Sequence, residues 1–458
     1  MTKKRIVIAV VVLGLAGLSL PVYNLVVPLN PSRLASLEPE DEVEAKAVAV
    51  LEQKCMSCHG SKAELPFYAQ FPIAKQLMEY DIRVGTSYVD YIAEFFPEEA
   101  RPVSEVALAK TEYVADHKTM PPPQYLIMYW NHFLTEADQE ALREWIGTVR
   151  KAHYATPGIS EELQAQVIQP LPQEVQVDAR KAALGDKLYH DKRLSKDDSL
   201  ACAGCHALDK GGTDQKQFSE GVGGAMGDIN GPTTLNASYQ FLQFWDGRAA
   251  DLQEQAAGPV ENPIEMAATF PDVIEKLNKD EAFVAAFTAV YPEGLSKETI
   301  TDAIAAFEET LITPNSPFDK YLLGDANAMT ADQKQGYAVF LDYACATCHV
   351  GAAMGGQSFE KMGLKADYFG DRGNVHKPDY GRYNVTEKEE DRFKLKVPTL
   401  RNIALTFPYL HDGSTSDLEE VVEIMAKYQV GRGMSQADTV LVAAFLGALT
   451  GELHGKPL

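Results

Sequence analysis

Cysteine and histidine fall together at three places in this chain: Cys55-Met56-Ser57-Cys58-His59, Cys202-Ala203-Gly204-Cys205-His206 and Cys345-Ala346-Thr347-Cys348-His349. C-x-x-C-H is the attachment signature of a c-type haem, in which two thiols form thioethers to the porphyrin and the next histidine ligates the iron. A single copy could also be a zinc site or a thiol redox pair, the less common outcome. Three copies about 145 residues apart, consuming all six cysteines, point instead to three covalently bound haems and leave no thiol for a disulfide.

Each iron then needs a sixth ligand or an open position. For the first, Met120 in Lys118-Thr119-Met120-Pro121-Pro122-Pro123 is a thioether on a proline-stiffened loop, and methionine ligation raises a haem potential. Met128, His117 and His132 compete with it. No histidine lies between His206 and His349, so the loops following the middle haem offer only Met226, in the glycine-rich stretch 221–228. The middle iron is therefore expected to be open, or weakly closed by Met226. Met425 and Met434 are among the methionines that follow the third motif.

The elements that must position these groups repeat a plan of helix, C-x-x-C-H, irregular loops and closing helix. A helix starts near Pro39 with Val43, Ala47, Val50 and Leu51 at helical spacing, and one capped by Thr135 carries Leu142, Trp145, Ile146 and Val149. Asp178 opens the second repeat. A helix over 296–312 turns Ile300, Ile304, Phe307 and Leu311 inward. Thr330 and Gln333 form a capping box at the third repeat, which Ser435 and its helix close. The expected fold is mainly α: three cytochrome-c-like haem domains in series over 30–165, 166–325 and 326–458, after an N-terminal transmembrane helix within 1–29.

That anchor rests on Lys3, Lys4 and Arg5 before an apolar-dominated run from Ile6 to Val27 interrupted by Ser19, Pro21, Tyr23 and Asn24. Roughly 22 such residues can span a bilayer, and no small-x-small cleavage site follows. Basic residues before the span place the haem domains outside the cytoplasm, so a bacterial inner-membrane protein with periplasmic haems is expected. A formal net charge of −23 over 458 residues disfavours nucleic acid.

The stretches Gln243-Phe244-Trp245-Asp246-Gly247-Arg248-Ala249, Glu254 to Met266 and Thr406 to Gly413 make a more specific likeness. Over roughly residues 170–455 the chain resembles the bacterial dihaem cytochrome c peroxidase family, and as a whole it resembles that family's trihaem, membrane-bound branch, which includes quinol peroxidase. The resemblance implies hydrogen peroxide reduction at the haem of His206. Gln255 and Glu265 match the pair lining the family's peroxide pocket, and Trp245 matches the tryptophan between its two haems. Met425 matches the distal methionine of the third haem, and Asn230, Thr406 and Pro408 match a calcium site.

It also implies electrons entering by the haem of His59 and passing through that of His349, from quinol or from a small cytochrome or cupredoxin. Many members block the peroxidatic iron with a loop histidine that this chain lacks. Two other readings compete: a non-catalytic trihaem electron-transfer cytochrome, and a relative of the dihaem enzyme that oxidises a partner protein, which carries tyrosine where Met425 falls. The sequence leaves a homodimer open.

Overall fold

The computed structural model describes residues 18–27, 29–61 and 63–458. They are mainly helical. Extended structure is limited to two small antiparallel ribbons, β1 (Phe359–Lys361) with β2 (Lys394–Lys396), and a C-terminal one joining Glu452–Leu453 to Lys456–Pro457.

Residues 18–26 are helical. Among the described residues no helix is long and apolar enough to cross a membrane. Most of the expected anchor, residues 1–17 together with residue 28, lies outside the described residues.

The chain forms two compact units, Met1–Ala155 with Gln164–Gln166, and Thr156–Leu163 with Val167–Leu458. In the first, α1 (Glu42–Lys54) starts where the Asp41 carboxylate accepts from the Glu44 amide. α2 (Pro72–Tyr88) follows, with proline at its first position, then α3 (Glu105–His117), capped by Ser104. α4 (Glu136–His153) carries the expected cap at Thr135, reciprocated by Asp138. Ala47 and Leu51 of α1 meet Leu142, Trp145 and Ile146 of α4 in one core. Arg150 of α4 is fully buried, 2.7 Å from Glu105 and 2.6 Å from Glu112.

In the second unit, α5 (Ala179–Tyr189), α6 (Leu252–Glu261) and α7 (Lys297–Glu309) surround the CAGCH segment's side of the core. α8 (Ala331–Asp342), α9 (Leu418–Met425) and α10 (Gln436–Gly447) do the same for CATCH. The caps fall at Asp178, Ser296, Thr330 and Ser435 as the sequence indicates.

Both halves use one device that periodicity does not reveal. A Cβ on Gly185 of α5 would lie 1.9 Å from the Ala303 carbonyl of α7, and one on Gly336 of α8 would lie 1.9 Å from Leu441 of α10. Mid-helix glycine costs about 1 kcal/mol relative to alanine, and here it permits backbone-to-backbone crossing.

The expected boundary near residue 325 lies within the second compact unit. Thr313 Oγ1 receives amide N–H groups from Asn236, in the first half, and from Asn402, in the second, at 2.8 and 2.9 Å. Arg401 pairs with Asp319 at 2.8 Å, both fully buried. Buried polar groups left unpaired are costly, so these links tie the halves into one unit.

Candidate functional site

Each C-x-x-C-H segment is one short helical turn. The histidine amide returns to the carbonyl of the first cysteine in all three: His59 to Cys55 at 3.0 Å, His206 to Cys202 at 2.9 Å, His349 to Cys345 at 3.0 Å. That closure gathers two thiols and an imidazole at one spot. The six cysteines form no disulfide and are half-buried.

The imidazoles share a second feature. Their Nδ1 atoms lie 3.0 Å from the Val89 carbonyl, 3.3 Å from Gly212 and 3.1 Å from Met354. Donation from Nδ1 to a backbone carbonyl fixes the tautomer and leaves the Nε2 lone pair for a metal. Burial lowers all three imidazole pKa values, that of His349 to about 4, so the neutral, ligating form prevails. Burial also pushes the thiols of Cys55, Cys202 and Cys345 up to about 12, which suits thioether formation better than a thiolate zinc site. Among the described residues no group of three or more His, Cys, Asp or Glu could hold a metal ion. These features fit covalently bound haem c.

Around His59, Met120 is exposed and lines a cavity with Lys118, Pro121, Leu126 and Phe133. His117 is exposed and stacks on Tyr113. His132 is buried, its Nδ1 3.0 Å from the Tyr125 hydroxyl, which in turn meets Ser57 Oγ of the CMSCH segment at 2.8 Å. Met128 is half-buried, and its carbonyl accepts from Asn24 at 3.0 Å.

In the second unit the CAGCH turn is followed by a loop pinned to the turn that carries Glu265. The Val222 amide donates to the Glu265 carbonyl at 2.8 Å, and Gly221 sits so close that a Cβ would lie 2.1 Å from the Ile264 carbonyl. Glu265 Oε1 accepts from Asn262 Nδ2 at 2.7 Å. Burial raises the Glu265 pKa, while the Asn262 hydrogen bond and the field of Arg248 oppose the rise. Gln255 stands half-buried on α6. Met226 is exposed, on a loop closed by the Glu220–Met226 bridge.

Trp245 shares an apolar cluster with Met425, Met362 and Leu410. Its Nε1 donates to the Asn230 carbonyl at 2.8 Å, and the Asn230 amide donates to the His411 carbonyl at 2.8 Å. His411 presents its ring edge to Trp245 at 6.3 Å and bonds Asp379 at 2.7 Å. Met434 packs against the core around Phe340 and Phe445, as does Cys345.

Asn230 is buried, and its Nδ2 donates to the Lys216 and Gln217 carbonyls, leaving Oδ1 as the oxygen able to face a cation. The loop holding Thr406 and Pro408 runs close by, with Gly211 packed on Leu405 and Thr406. Amide and carbonyl oxygens suit a hard cation such as calcium.

Sequence reading missed three contributors. Asn262 orients Glu265; its signal was Asn-Pro three residues before the carboxylate. His411 stood in a quoted segment without a role. Lys396, buried on β2, donates its amide to the Trp245 carbonyl at 2.9 Å, and burial lowers its pKa to about 7.

Comparison with known proteins agrees with this geometry. The family model described as di-haem cytochrome c peroxidase matches residues 179–327, and a haem-binding domain model matches 26–148. The chain is 48% identical over 409 residues to cytochrome c peroxidase Ccp of Escherichia coli K12, spanning 89% of this chain and 88% of the relative. It is 44% identical to cytochrome c551 peroxidase of Nitrosomonas europaea over 62% of this chain and 84% of the relative. A crystal structure of a MauG-like protein associated with microbial copper homeostasis superposes with a TM-score of 0.55 at 28% identity, over 62% of this chain and 93% of the other.

Proposed function

This chain belongs to the di-haem cytochrome c peroxidase family, and from that premise we propose that it reduces hydrogen peroxide to water at the middle of three haems. Each haem is held by one C-x-x-C-H turn: Cys55, Cys58 and His59; Cys202, Cys205 and His206; Cys345, Cys348 and His349. When bound, the haem supplies the iron and the electrons for O–O cleavage.

The protein's part is proton handling and orientation. The observation that carries the reading is the half-buried Glu265, its pKa raised by desolvation and its carboxylate steadied by Asn262. A carboxylate whose pKa is raised in this way can take a proton from one peroxide oxygen and return it to the other. Gln255 donates an amide N–H to the oxygen on which charge develops. Trp245, held by Asn230 and His411, offers an aromatic stepping point, and Met425 in the same cluster would help hold the haem of His349. Met120 serves the haem of His59. Asn230, Thr406 and Pro408 bind calcium and hold the two halves of the second unit in register.

We read residues 1–27 as an inner-membrane anchor, with the haem units in the periplasm and quinol, or a small cytochrome or cupredoxin, as donor. The experiment is anaerobic reduction followed by peroxide addition in a stopped-flow spectrometer. Fast stoichiometric reoxidation, lost in Glu265→Gln, is expected. Slow reoxidation indifferent to that change would leave an electron-transfer cytochrome.

A further inference from the structure

One face of the first unit is apolar and exposed among the described residues. Ile73, Leu77, Tyr80 and Val84 of α2 are 76%, 59%, 54% and 37% exposed. The spacing i, i+4, i+7, i+11 sets them in one stripe. The buried positions of the helix lie elsewhere on its circumference: Gly85 is tucked against Cys58, where a Cβ would stand 2.3 Å from its carbonyl. A helix that buries one face and shows a second, apolar face to solvent is asking for a partner.

The stripe does not end with the helix. Phe71 and Phe67, in the turn leading into α2, are also exposed. Phe67 meets Tyr23 edge to face at 5.2 Å, and Tyr23 lies among the exposed Leu18, Val22, Leu25, Val26 and Val27. Asn24 fixes that segment to the unit, donating to the Met128 carbonyl at 3.0 Å and accepting from the Tyr68 hydroxyl at 3.5 Å. So a single apolar surface runs from the segment that follows the apolar stretch 6–20 along the whole of α2. At its far end the Arg83 guanidinium lies 5.5 Å from the Tyr80 ring, the pairing of aromatic and basic groups found at headgroup depth.

The geometry points to a bilayer as the occupant: α2 lies in the membrane interface as an amphipathic helix, seating the first unit and carrying the Cys55–His59 turn, against which it packs, to the level of the headgroups. This rests on the reading of residues 1–27 as an anchor, because the chain would leave the bilayer on the same face. Its consequence is a route for a lipid-soluble two-electron donor, a hydroquinone, to reach the first haem without leaving the membrane.

The test uses the full-length holoprotein in vesicles of phosphatidylethanolamine and phosphatidylglycerol. All six native cysteines carry haem in this reading, so a single added thiol can be spin-labelled: Ile73→Cys and Leu77→Cys on the stripe, Glu79→Cys on the polar side of α2, Val440→Cys in the second unit. The ratio of oxygen to water-soluble nickel-chelate accessibility should be about tenfold higher at the stripe than at the other two, as for an apolar face lying some 5–10 Å below the headgroup boundary. Stripe labels as open to chelate as Glu79→Cys, on protein that floats with the vesicles, would overturn the seating and leave the anchor standing. Labels shielded from both reagents would mean that a protein covers the stripe, which also overturns it. Protein that does not float would overturn anchor and seating together.

Discussion

The backbone N–H of Val222 donates to the carbonyl oxygen of Glu265 at 2.8 Å, binding the loop behind the CAGCH turn to the turn that carries the carboxylate. Gly221 makes the approach possible, since a Cβ there would stand 2.1 Å from the Ile264 carbonyl and 2.8 Å from that of Glu265. Both contacts are backbone, which cannot swing aside. Gly221→Ala should therefore move the Glu265 turn. Misplacement of a reacting group by about 1 Å can cost on the order of a hundredfold in rate. Peroxide reduction should fall by that order in Gly221→Ala while haem content and the reduced visible spectrum stay unchanged.

Asn262 holds the other end of the same carboxylate. Its Nδ2 donates to Glu265 Oε1 at 2.7 Å and favours the charged form, against a burial that disfavours it. Removing the donor in Asn262→Ala leaves burial less opposed, so the Glu265 pKa rises further. The base form then needs a higher pH. The acidic limb of the pH profile for peroxide reoxidation should move to higher pH in the variant, and Asn262→Ser, which restores a donor, should move it partly back. A purely structural Asn262 would lower the rate without moving the limb.

Chemistry and helix boundaries were largely legible in the sequence, because both depend on local pattern. C-x-x-C-H needs five consecutive residues, and the caps at Asp178, Ser296, Thr330 and Ser435 need three or four. What could not be read depends on pairs far apart in the chain. Gly185 meets Ala303, and Gly336 meets Leu441, only because two helices cross there. Thr313 joins Asn236 to Asn402 across 166 positions of chain. His411, behind Trp245, was visible as a histidine but not as the partner of Asp379.

Arg150 is the stability test of the first unit. Its guanidinium, fully buried, pairs with Glu105, itself 3% exposed, and with Glu112. Burial outweighs the guanidinium and lifts the Glu105 pKa to about 7. Removing one partner of a buried pair strands the other, at a typical cost of about 3–5 kcal/mol. Arg150→Ala should destabilise the protein by that amount in denaturant unfolding at pH 8. Arg150→Met combined with Glu105→Gln should recover most of the loss, because no buried charge is then left alone.

Glu308, on the last turn of α7, gives stability a pH dependence of its own. It is buried, its Oε2 has no hydrogen-bond partner, and burial alone raises its pKa from the ordinary 4.5 to about 8. Between those two values the folded chain keeps a proton that the unfolded chain has released. Stability from this group is therefore fully present below pH 4.5 and is lost as pH rises through about 8. A gap of this size corresponds to an upper bound on the order of 5 kcal/mol. Glu308→Gln keeps the shape and cannot ionise. Denaturant unfolding at pH 5 and pH 8.5 should show a fall in stability for the native chain and a markedly smaller one for the variant, which should be the more stable of the two at the higher pH. Equal slopes in both proteins would mean that Glu308 finds a partner when the haem is in place.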